Sequence, residues 1–284
     1  MLTVLEIIKK TTDFFAARGV ENPRLNAELL VGHGLGLKRM ALYLQFERVL
    51  SESELETIRP LVRRRGQREP LQYIVGETEF SGLKLKTDRR ALIPRPETEY
   101  LIELLAPRFT EKAPERILDL GTGTGAIALA LAKQYPSAQV TAVDVSSEAL
   151  ALARENAVAN QLEGRVTWIE SDWFAAVPLD QPFDLIVANP PYLSADETAE
   201  AAPEVRDHEP VAALTSNGPL ATADLQVIIA GAARYLAKGG LLALETGISQ
   251  HALLHEIVTS AGLIAGDSKQ DLTGRDRYFF ANLP

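Results

Sequence analysis

Asn189-Pro190-Pro191-Tyr192, at the end of an apolar run, brings together groups able to hold an NH2 group. The two prolines fix the backbone and supply no N–H, so the turn offers carbonyl oxygens. The Asn189 amide adds another acceptor, and the Tyr192 ring gives a stacking face. A planar amide or aromatic amine is a poor nucleophile because its lone pair is delocalised. Accepting hydrogen bonds from both of its hydrogens raises electron density on the nitrogen and aims it at an electrophile, with no strong base required. The plain alternative is a turn that only ends a strand.

Upstream, Asp119-Leu120 leads into Gly121-Thr122-Gly123-Thr124-Gly125 and an alanine-rich helix. Glycines at a helix N-terminus let a ligand approach the backbone closely. Nineteen residues past Gly125, Asp144 ends the next strand, where a carboxylate can accept hydrogen bonds from both hydroxyls of a ribose. This pairing indicates a nucleoside-containing cofactor. It does not choose which, because Gly121-x-Gly123-x-x-Ala126 also satisfies the dinucleotide fingerprint of NAD enzymes. Asp172-Trp173 follows a third strand. An adenine needs an acceptor for its amino group and an apolar face, and these two side chains can supply both.

The Asn-Pro-Pro-Tyr turn decides between the cofactors. The methyl sulfonium of S-adenosylmethionine is an electrophile suited to a gripped NH2, whereas hydride transfer has no evident use for such a turn. The expected cofactor site is therefore Gly121–Gly125 with Asp144, Asp172, Trp173 and Asn189. The expected catalytic and substrate-binding residues are Asn189, Pro190, Pro191 and Tyr192. No metal is expected: the chain has no cysteine, and His33, His208, His251 and His255 form no ligand constellation, His251 and His255 being only an i, i+4 pair.

The elements that must position these residues alternate. Strands over 117–120, 140–143, 166–169, 183–188 and 241–244 are separated by helical stretches, which predicts an α/β fold with a doubly wound, mostly parallel sheet. Ligands in such sheets bind beyond the carboxyl ends of the strands, where all of the residues above fall. Before the sheet comes a small helical domain. Thr3 and Glu6 form a capping box there, Gly19 offers a stop, Asn22-Pro23 supplies N-cap and N1, and a further helix opens near Ser51 or Ser53. That helix runs into Arg63-Arg64-Arg65-Gly66-Gln67-Arg68, read as cations solvated at a helix C-terminus in preference to a docking patch. From Gln72 to Ile93 the helical period is lost, and a β-hairpin is expected. Pro96 opens the next helix, with Glu97 and Glu99 at its positive end.

With 46% hydrophobic and 24% charged residues among 284, the composition is that of a globular protein with one large and one small domain. No apolar run approaches the roughly 20 residues of a membrane span, and the start lacks a signal-peptide pattern, so a cytoplasmic location without membrane partners is expected. The net charge of −9 is uneven: residues 1–75 hold twelve Lys and Arg against nine Asp and Glu, leaving seventeen against twenty-nine in the remainder. An acidic catalytic half argues against nucleic acid as the direct substrate.

Further stretches carry a resemblance. Leu71-Gln72-Tyr73-Ile74, Leu92-Ile93-Pro94-Arg95-Pro96-Glu97-Thr98-Glu99, Glu204-Val205-Arg206 with Glu209-Pro210, and Asp271-Leu272 with Gly274-Arg275-Asp276-Arg277 join the glycine loop and the Asn-Pro-Pro-Tyr turn. Nearly end to end, the chain resembles the protein-(glutamine-N5) methyltransferases of peptide chain release factors, within the seven-stranded S-adenosylmethionine methyltransferases. The turn alone is shared with adenine and guanine amino methyltransferases; the Ile-Pro-Arg-Pro-Glu-Thr-Glu segment is far more specific. The resemblance implies methylation of the glutamine of a Gly-Gly-Gln segment. It assigns Gly121–Gly125 to methionine and ribose, Asp144 to the ribose hydroxyls and Trp173 to adenine. Asn189 and the Pro190 carbonyl would take the NH2 hydrogens, with Tyr192 against the amide. It also implies three parts: a helical substrate-recognition domain over 1–71, a hairpin linker over 72–93 and the methyltransferase domain over 94–284. The chain departs from the family pattern at Asn217-Gly218-Pro219-Leu220-Ala221-Thr222-Ala223-Asp224. Rival readings are a nucleic-acid amino methyltransferase, which calls for a basic groove, a non-catalytic cofactor-binding module, which calls for an eroded site, and an NAD oxidoreductase. Leu193–Pro210, with six acidic residues and one arginine, is expected to be a lid or partner-binding loop that orders on substrate binding.

Overall fold

The computed structural model describes residues 2–284, which form two compact units: residues up to Glu77 together with Ala202–His208, and Thr78–Ala201 with Glu209–Pro284. In the first unit, α1 (Val4–Ala16) begins with the Thr3/Glu6 capping box and buries Val4, Ile8 and Phe15. α2 (Pro23–Leu35) has Pro23 in its first turn, but Asn22 is left-handed and its side chain makes no cap, so its expected N-cap bond is absent. The short α3 (Arg39–Tyr43) leads to α4 (Glu52–Gly66), opened by a Ser51/Glu54 capping box. Gly34 of α2 faces α4 so closely that a Cβ there would lie 2.8 Å from Ile58 Cγ1. The sequence places a hairpin from Gln72, yet Leu71–Val75 is a helix, α5, ended by left-handed Gly76. Five residues are too few for a helical period to show, and Tyr73, Ile74 and Val75 have strand-like propensity. The hairpin strands are β1 (Glu77–Phe80) and β2 (Leu83–Lys86), and no strand continues to Ile93.

Of the arginine run, Arg63 is exposed as expected, but Arg65 and Arg68 are not simply solvated. Arg65 is 5% exposed; it donates to Asn26 Oδ1 at 2.8 Å, to the Glu69 carbonyl at 3.1 Å and to Glu204 Oε1 at 2.8 Å. Arg68 grips both oxygens of Glu204, at 2.7 and 2.6 Å, and Arg64 pairs with Glu69. Burial of Glu204 opposes its charge, but the two guanidiniums outweigh it and hold the carboxyl below its ordinary value. Glu204 lies in α10 (Pro203–Arg206), preceded in the chain by α9 (Ala195–Glu200), which carries its own Ser194/Glu197 capping box. The segment expected to order only with substrate thus has regular structure and side-chain partners of its own. Glu204→Ala would leave Arg65 buried without its carboxylate. It is expected to destabilise the first unit by about 2–3 kcal/mol, read by urea denaturation followed by far-UV circular dichroism.

The second unit holds α6 (Pro96–Leu105), β3 (Arg116–Leu120), α7 (Ala126–Gln134), β4 (Gln139–Asp144), α8 (Ser147–Ala159), β5 (Val166–Glu170), β6 (Phe183–Ala188), α11 (Ala223–Tyr235), β7 (Leu236–Glu245), α12 (His251–Ser260), β8 (Ile264–Gln270) and β9 (Asp276–Asn282). The strands form one seven-stranded sheet in the order β5-β4-β3-β6-β7-β9-β8. The first five are parallel; β9 runs antiparallel between β7 and β8. Central strands such as β6 are buried and apolar over most of their length, Leu185–Ala188 here, because both faces are covered. One face packs on α6 and α7 through Leu101, Leu105 and Leu129, the other on α11 and α12 through Ile228, Ile229 and Leu254. Register brings the strand ends level: Leu120 pairs with both Val143 and Ala188, and Ala188 with Leu244. Asp144, Asn189 and Glu245 therefore emerge along one edge. Among the described residues no helix is long and apolar enough to cross a membrane.

Candidate active site

The strand order reverses between β3 and β6, and a cavity of about 520 Å³ opens at the carboxyl ends there, as expected at a switch point and within the roughly 300–1,000 Å³ of small-molecule sites. Gly121, Thr122, Gly123, Thr124, Asp144, Asp172, Trp173, Asn189 and Pro191 line it; Gly125, Pro190 and Tyr192 do not. Gly125 has a different task. It is the N-cap of α7 at φ +81°, and a Cβ there would lie 3.1–3.3 Å from Ala153, Trp168 and Leu129. Close packing and a left-handed backbone both require glycine.

A glycine N-cap has no side chain to satisfy the first amides of α7, and Asp119, near the end of β3, satisfies one of them. Its Oδ2 accepts from the Ala128 amide at 3.1 Å and the Thr122 hydroxyl at 2.6 Å. The residue is fully buried, and burial pushes its carboxyl up to about 7. Asp144 ties the loop to β4: Oδ2 accepts from the Gly123 amide at 2.8 Å and Oδ1 from the Ser146 amide at 2.9 Å. Each oxygen keeps a second lone pair for a ligand. Burial raises this carboxyl above its ordinary value as well.

Trp173 sits at φ +45°, a strained position for an aromatic residue. Its ring lies over Gly121, where a Cβ would be 3.4 Å from Cζ3, and its Nε1 donates to Asp224 Oδ1 at 3.2 Å. Asp224 is held in turn by the Ser216 hydroxyl at 2.5 Å. The departure from the family pattern thus ends on the residue that orients the tryptophan. Before it, Leu220 and Ala221 are also left-handed. Asp172 is exposed at the rim.

Asn189 follows β6, and its Nδ2 donates to the Thr98 hydroxyl at 3.1 Å. That hydroxyl donates to Glu245 Oε2 at 2.7 Å, and Tyr192 Oη is 3.4 Å from Glu245 Oε1. Burial drives the Glu245 carboxyl up to about 7 and, with Glu245 nearby, raises the Tyr192 phenol above its ordinary value. The Arg277 guanidinium lies 5.2 Å over the Tyr192 ring. Glu97 and Glu99 lie in the first turn of α6 as expected, but their carboxylates also have partners elsewhere: Glu99 accepts from the Ser81 amide, and Glu97 Oε1 lies 3.8 Å from the Arg275 guanidinium. Buried Glu209 accepts from Arg95 and from the Ile93 amide, fixing the segment that leads into α6. Sequence reading gave Thr98, Asp224 and Glu209 no role and missed Glu245. An acidic residue ending the apolar run Leu241–Leu244 is the signal for Glu245, by the same strand-end rule that found Asp144.

The arrangement can hold a nucleoside-bearing ligand along the glycine loop with a planar NH2 group beside Asn189. Residues 98–224 match the family model described as methyltransferase small domain, and residues 6–76 that described as PrmC N-terminal domain. The chain is 45% identical to a release factor glutamine methyltransferase of Chlorobaculum tepidum, over 86% of this chain and 85% of that one. It is 42% identical to one of Geobacter sulfurreducens, over 97% of this chain and 95% of that one. Among solved structures, a methyltransferase from Pyrococcus furiosus superposes with a TM-score of 0.54 at 20% identity, over 71% of this chain and 89% of that one, a likeness of fold.

Proposed function

The chain belongs to the release factor glutamine methyltransferases, and on that premise we propose that Asn189 and the Pro190 carbonyl present the glutamine amide of a release factor for methylation. The enzyme transfers a methyl group from S-adenosylmethionine to the side-chain nitrogen of that glutamine. The carrying observation is the Asn189 side chain on the cavity wall, with its NH2 turned away toward Thr98.

When bound, S-adenosylmethionine supplies a methyl group on a positively charged sulfur. Asp144 would accept the ribose hydroxyls through its free lone pairs, Trp173 would hold the adenine and Asp172 its amino group, and the glycine loop would hold the ribose and methionine. Asn189 Oδ1 and the Pro190 carbonyl would accept the two amide hydrogens, which would orient the nitrogen and keep electron density on it. The proton lost after transfer passes from nitrogen to solvent along the same acceptors. Tyr192 supports the amide plane. The helical unit, matched by its own family model, is the part proposed to engage the release factor, whose glutamine lies in a Gly-Gly-Gln segment.

Labelled S-adenosylmethionine incubated with release factor, or with its Gln→Ala variant in that segment, tests this reading. Label is expected on the wild-type factor alone; equal labelling of both would exclude glutamine as the acceptor.

A further inference from the structure

An asparagine amide fits its site in either of two orientations, and only one of them serves an NH2 substrate. Asn189 must turn Oδ1 toward the cavity; flipped, it would offer N–H groups to a group that itself donates. The turn does not enforce this choice.

The direction is set from outside the turn. Glu245 is 1% exposed and Thr98 is 4% exposed. Glu245 comes from the end of β7, beside Asn189 on the neighbouring strand, and Thr98 from the first turn of α6. A carboxylate only accepts, so the single hydroxyl hydrogen of Thr98 is spent on Glu245 at 2.7 Å. Toward Asn189 the Thr98 oxygen can then only accept, and the atom facing it at 3.1 Å is Nδ2. The other Glu245 oxygen faces Tyr192 Oη. One carboxylate therefore reaches both polar ends of the turn, Tyr192 directly and Asn189 through Thr98.

We infer that Thr98 and Glu245 are positioning residues for methyl transfer, forming a one-way hydrogen-bond chain that locks the Asn189 carbonyl toward the substrate amide. The inference rests on the reading of Asn189 proposed above. Neither residue touches the reacting atoms; both act through Asn189. The threonine of the Pro-Glu-Thr-Glu segment thereby gains a task beyond starting a helix. Arg277 on β9 favours the charged form of Glu245, and Glu97 on α6 opposes it.

The test uses the full chain with release factor, assayed at about pH 8.5 so that Glu245 is ionised. Thr98→Val keeps the shape and removes both hydrogen bonds. It is expected to lower kcat on the order of ten-fold, the effect of about one net hydrogen bond. KM for the factor and Kd for S-adenosylhomocysteine should stay within about three-fold. Thr98→Ser should restore kcat to within about three-fold of wild type, and Glu245→Gln, whose amide can donate to Thr98 and reverse the chain, should fall as Thr98→Val does. The decisive arm repeats Thr98→Val in the Asn189→Ala background, where the further loss should shrink to about two-fold or less because residues acting through one another are not additive. An undiminished ten-fold loss in that background, or Thr98→Ser no better than Thr98→Val, would overturn the inference. Should Thr98→Val not fold, the serine and glutamine variants carry the same comparison. Wild type that leaves the factor unmethylated would overturn the reading of Asn189 itself, and this inference with it.

Discussion

Replacing Asn189 by alanine is expected to lower the rate of methyl transfer by about 10²–10³-fold, the usual consequence of deleting one preorganised polar group aimed at a reacting centre. Affinity for S-adenosylhomocysteine should change by less than about three-fold. The asymmetry follows from position: Asn189 lies past β6 and is fixed through Thr98, whereas the other groups proposed to hold the cofactor lie past β3, β4 and β5. Single-turnover rates at saturating cofactor, paired with calorimetric titration, separate the two quantities. A variant that loses cofactor affinity in proportion to rate would make Asn189 a cofactor ligand rather than the grip on the amide.

Asp144→Ala should show the opposite pattern, with cofactor affinity down by about 10²-fold or more. Two charge-assisted hydrogen bonds to a ribose are worth roughly 1.5–3 kcal/mol each. The variant also releases the Gly123 amide that Asp144 holds. The pH dependence has a definite sign. Burial holds this carboxyl above its ordinary value, and the ionised form is the better acceptor. Cofactor affinity should therefore weaken as pH falls through the raised value, and Asp144→Ala should flatten that response. Titration of S-adenosylhomocysteine between about pH 4.5 and pH 8 checks both statements; an affinity unchanged at every pH would remove Asp144 from the site.

The catalytic half was legible because its signals are short and local. Alternation of apolar runs with helices gave five parallel strands, and the strand-end rule led to Asp144 and Asn189. β8 escaped because it is an exposed edge strand with the polar sequence Gly266-Asp267-Ser268-Lys269-Gln270. β9 was hidden by association: Tyr278-Phe279-Phe280-Ala281 is buried, but without a recognised neighbour it reads as a plain apolar run. α5 was lost to its length. Gly125 reads as a ligand residue by adjacency, whereas its packing alone requires glycine; the contact of the Tyr192 hydroxyl with a carboxylate 53 positions away in the chain leaves no local signal. Arg65 could not be read at all, since its partner Glu204 is 139 residues distant. Charge patterning along a helix says nothing about a carboxylate delivered from so far along the chain.

That last pairing bears on how the chain can be cut and recombined. Because the helical unit is made of two stretches of sequence, it is not a cassette. A fragment ending at Glu77 would leave Arg65 and Arg68 without Glu204, and a fragment lacking the first 77 residues would strand Ala202–His208 without its cations. An exchange of this unit for that of a relative would keep these ion pairs only by carrying the seven-residue stretch along with the amino-terminal one.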